Sequence, residues 1–91
     1  SGVNFGLSAA IMSEITLKDG KVEQTNFHNF DALRMYQAPA IHTKIIENGE
    51  RIKGRGEPGT PPAAPALANA IFAVTGLRMR DMPFNKHIKF V

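Results

Sequence analysis

The sequence predicts an α+β fold in two layers, a small and mostly antiparallel sheet packed with two apolar helices. Three observations predict it. Asp19-Gly20 stands between two short stretches of alternating polarity, which is the pattern of a β-hairpin. A further alternating run fills Ala40 to Glu47. Residues 1–13 and 58–77 carry no charged side chain, and each reads as an apolar helix. In chain order the pattern is α-β-β-β-α-β, over one unit spanning residues 1–91.

The first helix covers Val3 to Met12, with Asn4 and Ser8 as its polar residues. Gly6 lowers helix propensity by ~1 kcal/mol relative to alanine, so it predicts close packing or an opening turn. Glu14–Lys18 and Lys21–Gln24 form the hairpin strands. A two-residue Asp-Gly loop favours a type I′ turn, in which both residues take positive φ. The second strand is expected to run to about residue 28, followed by an irregular crossing through Leu33–Tyr36 that Pro39 ends. The third strand, Ala40–Glu47, sets Ile41, Thr43 and Ile45 on one face and His42, Lys44 and Ile46 on the other. Asn48-Gly49 turns the chain.

A glycine-rich loop, residues 53–60, leads into the second helix. Pro61, Pro62 and Pro65 suit its first turn, where a missing N–H costs nothing. The helix is expected from Pro62 or Pro65 to Thr75, with Gly76 as its stop. Leu77–Arg80 reads as a last short strand.

A chain of 91 residues holds one small domain at most. Such a domain buries about 60–70% of its unfolded surface, so its core is thin. A helix apolar all round must be buried all round, and this chain cannot surround two of them. Either other copies cover them, through exchange of segments between copies, or the chain is a C-terminal fragment of a larger domain. The second reading is favoured. The absence of cysteine excludes disulfides and thiolate metal sites within the chain. The net charge of +3 arises from 11 basic and 8 acidic residues, too small an excess to mark a nucleic-acid-binding protein. Arg78, Arg80, Lys86 and Lys89, interleaved with Phe84 and Phe90, read as a solvated face with apolar anchors.

Gly54-x-Gly56-x-x-Gly59 matches a dinucleotide-binding fingerprint on paper, but its context does not. The preceding strand ends near Glu47, too far away for a tight βα turn, and Glu57 would face the pyrophosphate. Glu57 itself admits two readings. Glycines at 54 and 56 let a ligand approach the backbone, and Pro58 stiffens a position just before a helix. A carboxylate held there is a general base if burial raises its pKa; otherwise it is an exposed loop acid. His28, His42 and His87 lack any spacing for a metal site, and none is predicted. Ser8 and Ser13 lack the turn that exposes a nucleophile.

The run Gly54-Arg55-Gly56-Glu57-Pro58-Gly59-Thr60-Pro61-Pro62, continued by the alanine-rich helix to Gly76, resembles a signature of the molybdenum hydroxylases. These are the large subunits of the xanthine dehydrogenase and aldehyde oxidase family, and the chain resembles in particular the bacterial branch of isoquinoline 1-oxidoreductase beta subunits and related aldehyde dehydrogenases. Gly2–Ala10, Glu14–Gly20 and Asn26–Phe30 extend the resemblance over essentially the whole chain. It implies that Glu57 is the base that deprotonates a hydroxyl on molybdenum, for attack on an electron-poor carbon of an aldehyde or N-heterocycle. It implies that the Gly56 backbone lies close to the metal centre, that the stretch from Gly2 to Gly6 approaches the pterin, and that Gly54 also belongs to the cofactor-binding set. The implied cofactor is a molybdopterin, in its cytosine dinucleotide form in bacteria, and the implied partners are the rest of the subunit and an iron–sulfur electron-transfer subunit.

The sequence departs from the family pattern within the matched run and outside it, and family members are far longer chains. Arg55 stands where a small apolar residue is usual, and Phe30 where tyrosine is common. Compartment stays open between bacterial cytoplasm and periplasm. The chain alone is expected to be inactive and to bind no cofactor. The competing expectation is a stand-alone, non-catalytic binding or assembly module derived from the same family.

Overall fold

In the computed structural model, which describes residues 1–49 and 51–90, two helices meet along a seam of small side chains. Helix α1 spans Gly2–Ile11 and helix α2 spans Ala63–Thr75. Ala10 is fully buried, and Ala63 is buried on the facing side of α2. The backbones come so near that a Cβ on Gly6 would lie 2.6 Å from the Thr60 carbonyl oxygen and 2.7 Å from Ala63 Cβ. Of the two roles the sequence offered for Gly6, close packing is the one observed. Ala10, Ile71 and Phe84 form the centre of the core, with Leu67, Met79 and Ile88 packed around it. Phe84 comes from a short 3₁₀ turn, Phe84–Lys86, so the tail contributes a buried ring to the core.

The hairpin forms as its turn residues dictate. Strand β1, Leu17–Lys18, pairs antiparallel with β2, Lys21–Val22, with Lys18 opposite Lys21. Asp19 and Gly20 both adopt positive φ, 50° and 74°, as a type I′ turn requires. Beyond the ladder the Glu23 N–H donates to the Thr16 carbonyl at 2.9 Å, and the Gln24 side chain bonds both the amide and the hydroxyl of Thr16. Helix α2 stops at Gly76, left-handed at φ 75°, whose N–H donates to the Phe72 carbonyl at 2.8 Å.

Three expected strand segments are corrected. The second strand does not reach residue 28. The Asn29 side chain takes the Thr25 and Asn26 amides, and Asn26 takes that of Phe27, so local side-chain turns replace the ladder. Leu77–Arg80 forms no strand. Arg78 instead lies over the Phe72 ring, 3.9 Å from its centroid, and donates to Asn69 Oδ1 at 2.8 Å. Ala40–Glu47 is likewise not a strand. An isolated strand has no ladder of its own, and no other strand lies beside this one among the described residues. The crossing before it holds a single 3₁₀ turn, Met35–Gln37.

The accessible surface is 7788 Å², whereas a self-contained domain of this mass exposes about 5,200 Å². The radius of gyration, 15.8 Å, exceeds the roughly 12 Å of a folded chain this long. Helix α2, expected to be covered all round, is covered on one side: Ile71 is buried, while Phe72 is 44% and Val74 85% exposed.

Substituting Gly6 by valine is expected to destabilise the chain by about 1–3 kcal/mol, because both clashing atoms are fixed to backbone. Gly54→Ala, where a Cβ meets nothing within 4 Å and φ is not positive, is expected to be nearly neutral. Urea midpoints followed by helical circular dichroism check both.

Candidate functional site

Thr60 fastens the glycine-rich loop to the start of α1. Its N–H donates to the Glu57 carbonyl at 2.8 Å, closing a turn with Pro58 at the position whose φ proline presets. Its hydroxyl donates to the Gly2 carbonyl at 3.0 Å, across 58 residues of sequence. Its own carbonyl accepts from the Ala63 N–H and lies against Gly6. Gly59 is pressed on Val3, where a Cβ would come within 3.2 Å of Val3 Cγ2.

The clamp brings Gly56 and Glu57 over the first turn of α1 and leaves a groove of about 510 Å³ between them. Gly2, Asn4 and Phe5 form one wall, Gly56, Glu57 and Thr60 the other, and Ser1, Ser8 and Leu33 complete the lining. Ser8 ties in the crossing segment: its hydroxyl donates to the Asn4 carbonyl and accepts from the Leu33 N–H at 2.8 Å. Glu57 is exposed at the rim and is the only charged side chain of the lining. A Cβ on Gly56 would meet nothing within 4 Å, so open space lies beside its backbone. The Asn4 Oδ1 atom is buried with no hydrogen-bond partner.

The residues singled out in the sequence thus divide. Gly2, Gly56 and Glu57 share the groove. Gly6 lies behind it in the helix seam, and Gly54 stands one step outside it. Arg55 lines a separate hollow with Arg51 and Lys53, and its guanidinium donates to the Gly54 carbonyl at 3.3 Å. No group of three His, Cys, Asp or Glu side chains suited to a metal ion occurs among the described residues. Asn4 falls within the Gly2–Gly6 stretch that the resemblance set against the cofactor, whereas Thr60 and Leu33 were not legible as site residues. For Thr60 a signal existed, a hydroxyl directly before the proline-rich start of a helix.

The resemblance expected from the sequence holds. The chain is 35% identical to isoquinoline 1-oxidoreductase subunit beta of Brevundimonas diminuta over 82 residues, 90% of this chain and 10% of that protein. It is 33% identical to the membrane-bound aldehyde dehydrogenase [pyrroloquinoline-quinone] of Gluconacetobacter polyoxogenes, over 87% of this chain and 10% of that one. It is 31% identical to the aldehyde oxidoreductase molybdenum-binding subunit PaoC of Escherichia coli, over 89% and 12%. The chain therefore spans about a tenth of the length of the curated relatives it matches. No family model and no solved structure matches it.

If Thr60 is the clamp, Thr60→Val keeps its shape and loses about 0.5–1.5 kcal/mol, the net worth of one hydrogen bond. Thr60→Ser should retain most of it. Chemical denaturation of the two variants side by side measures the difference.

Proposed function

We propose, on the premise of this chain's similarity to those oxidoreductase subunits, that it is a segment of a molybdenum hydroxylase catalytic subunit and carries that enzyme's general base, Glu57. A match of 82 residues within a chain of 91 spans the Gly54–Thr60 loop wherever it begins. The observation that carries the reading is the placement of that loop. Glu57 hangs over a groove whose opposite wall is the glycine-opened start of α1, and Thr60 fixes the distance between the two.

The groove fits one side of a flat, polar cofactor. Gly2 and Gly56 offer backbone without side chains, and the unpartnered Asn4 Oδ1 lies beside them. The chain supplies no soft or imidazole ligand there, so it contributes a wall and a base rather than a metal cage. A molybdopterin, proposed in its cytosine dinucleotide form, supplies the two-electron redox chemistry when bound. Glu57 takes a proton from the attacking oxygen nucleophile, and the groove orients the aldehyde or N-heterocycle it attacks. Electrons leave through an iron–sulfur partner subunit. The pyrroloquinoline-quinone in one relative's name is the competing cofactor assignment. Elemental analysis of the purified full-length protein separates the two, with about one molybdenum per subunit expected on the present reading.

Glu57→Gln in the full-length enzyme is expected to lower kcat by about 10²–10⁴-fold, the usual contribution of a general base. Its molybdenum content should not change. Near-normal turnover in that variant would remove Glu57 from the mechanism.

A further inference from the structure

We infer that residues 40–47 are a β-strand without its sheet, built to pair with a strand edge supplied by the remainder of the subunit. The inference rests on the proposal that this chain is part of a longer one. Its sequence has what a half-buried strand needs: Ile41, Thr43 and Ile45 on one face, His42 and Lys44 on the other, and three β-branched isoleucines among eight residues. Its structure has none of what a strand provides. Residues 40–47 are exposed throughout, with Ile45 and Ile46 each 81% accessible. No backbone hydrogen bond joins them to any described element. A row of unpaired N–H and C=O groups beside an apolar face is a template for strand addition.

Two observations choose the occupant. The chain exposes roughly 2,600 Å² more than a self-contained domain of its mass. One partner in a standard-size interface buries about 800 Å², so a single second copy docked in the usual way leaves most of the excess uncovered. The relatives it matches are about ten times longer, which is ample chain to provide a sheet. The occupant is therefore a strand edge with an apolar face, from the part of the subunit outside this segment.

Backbone amide hydrogen exchange on the 91-residue chain and on the full-length protein tests this. Amides of 41–47 are expected to exchange about 100-fold or more slowly in the full-length protein and without protection in the short chain. Rapid exchange at 41–47 in the full-length protein overturns the inference. Protection that appears in the short chain as its concentration rises also overturns it, in favour of a second copy. Neither readout depends on Glu57, so a failure of the base assignment would leave this result standing.

Discussion

The bond from the Thr60 hydroxyl to the Gly2 carbonyl is the constraint on which the arrangement turns. It joins the two apolar segments at their N-terminal ends, where the loop bearing Glu57 also packs Gly59 on Val3 and the Thr60 carbonyl on Gly6. The approach it enforces is tolerable because glycine stands at 2, 6 and 59. With a Cβ at Gly6 the Thr60 carbonyl would be 2.6 Å away. Residue choice and site geometry are coupled here: small residues let the backbones close, closure lets one hydroxyl reach, and that hydroxyl positions the groove wall. Hydrogen bonds are worth little individually, but this one joins segments far apart in sequence, so its loss would free a loop rather than a side chain.

What the sequence made legible follows from the range of the forces involved. The positive φ of Asp19 and Gly20 and the stop at Gly76 depend on neighbours within four residues and were readable, as were the extents of α1 to within one residue at each end and of α2, whose start the prolines bracketed. The strand at 40–47 was not realised because alternation specifies a willingness to pair, and among the described residues no strand lies beside it to pair with. At 25–29 the failure has another cause. Asn26 and Asn29 capture backbone amides with their own side chains and pre-empt a ladder. The last expected strand yields to a cation over an aromatic ring, Arg78 on Phe72, a contact across six residues that polarity patterns do not encode.

The apolar character of α2 was read correctly and its consequence only half realised. Ala63 and Ile71 face α1, but Val74 and much of Phe72 face solvent. A helix uncharged from end to end has no reason to tolerate water on one side, and the surface excess of the whole chain has the same origin. Helices can form before their outer faces are covered, since their hydrogen bonds are internal; strands cannot. This asymmetry accounts for a structure with both helices intact and most of its expected sheet missing.

The same reasoning bears on Glu57. The chain fixes where its carboxylate stands, through a turn closed by Thr60, but leaves it exposed. A carboxylate becomes an effective base near neutral pH when burial or a neighbouring charge disfavours its ionised form, and both require walls. Among the described residues, the wall opposite Glu57 is the turn of α1 with Gly2, Asn4 and Phe5, which carries no charged side chain. Position and reactivity are therefore encoded in different places. On the proposed reading of Glu57 as a base, the 91 residues hold the geometry of the loop, and the dielectric and partners that would make the carboxylate reactive come from whatever encloses the open side of the groove.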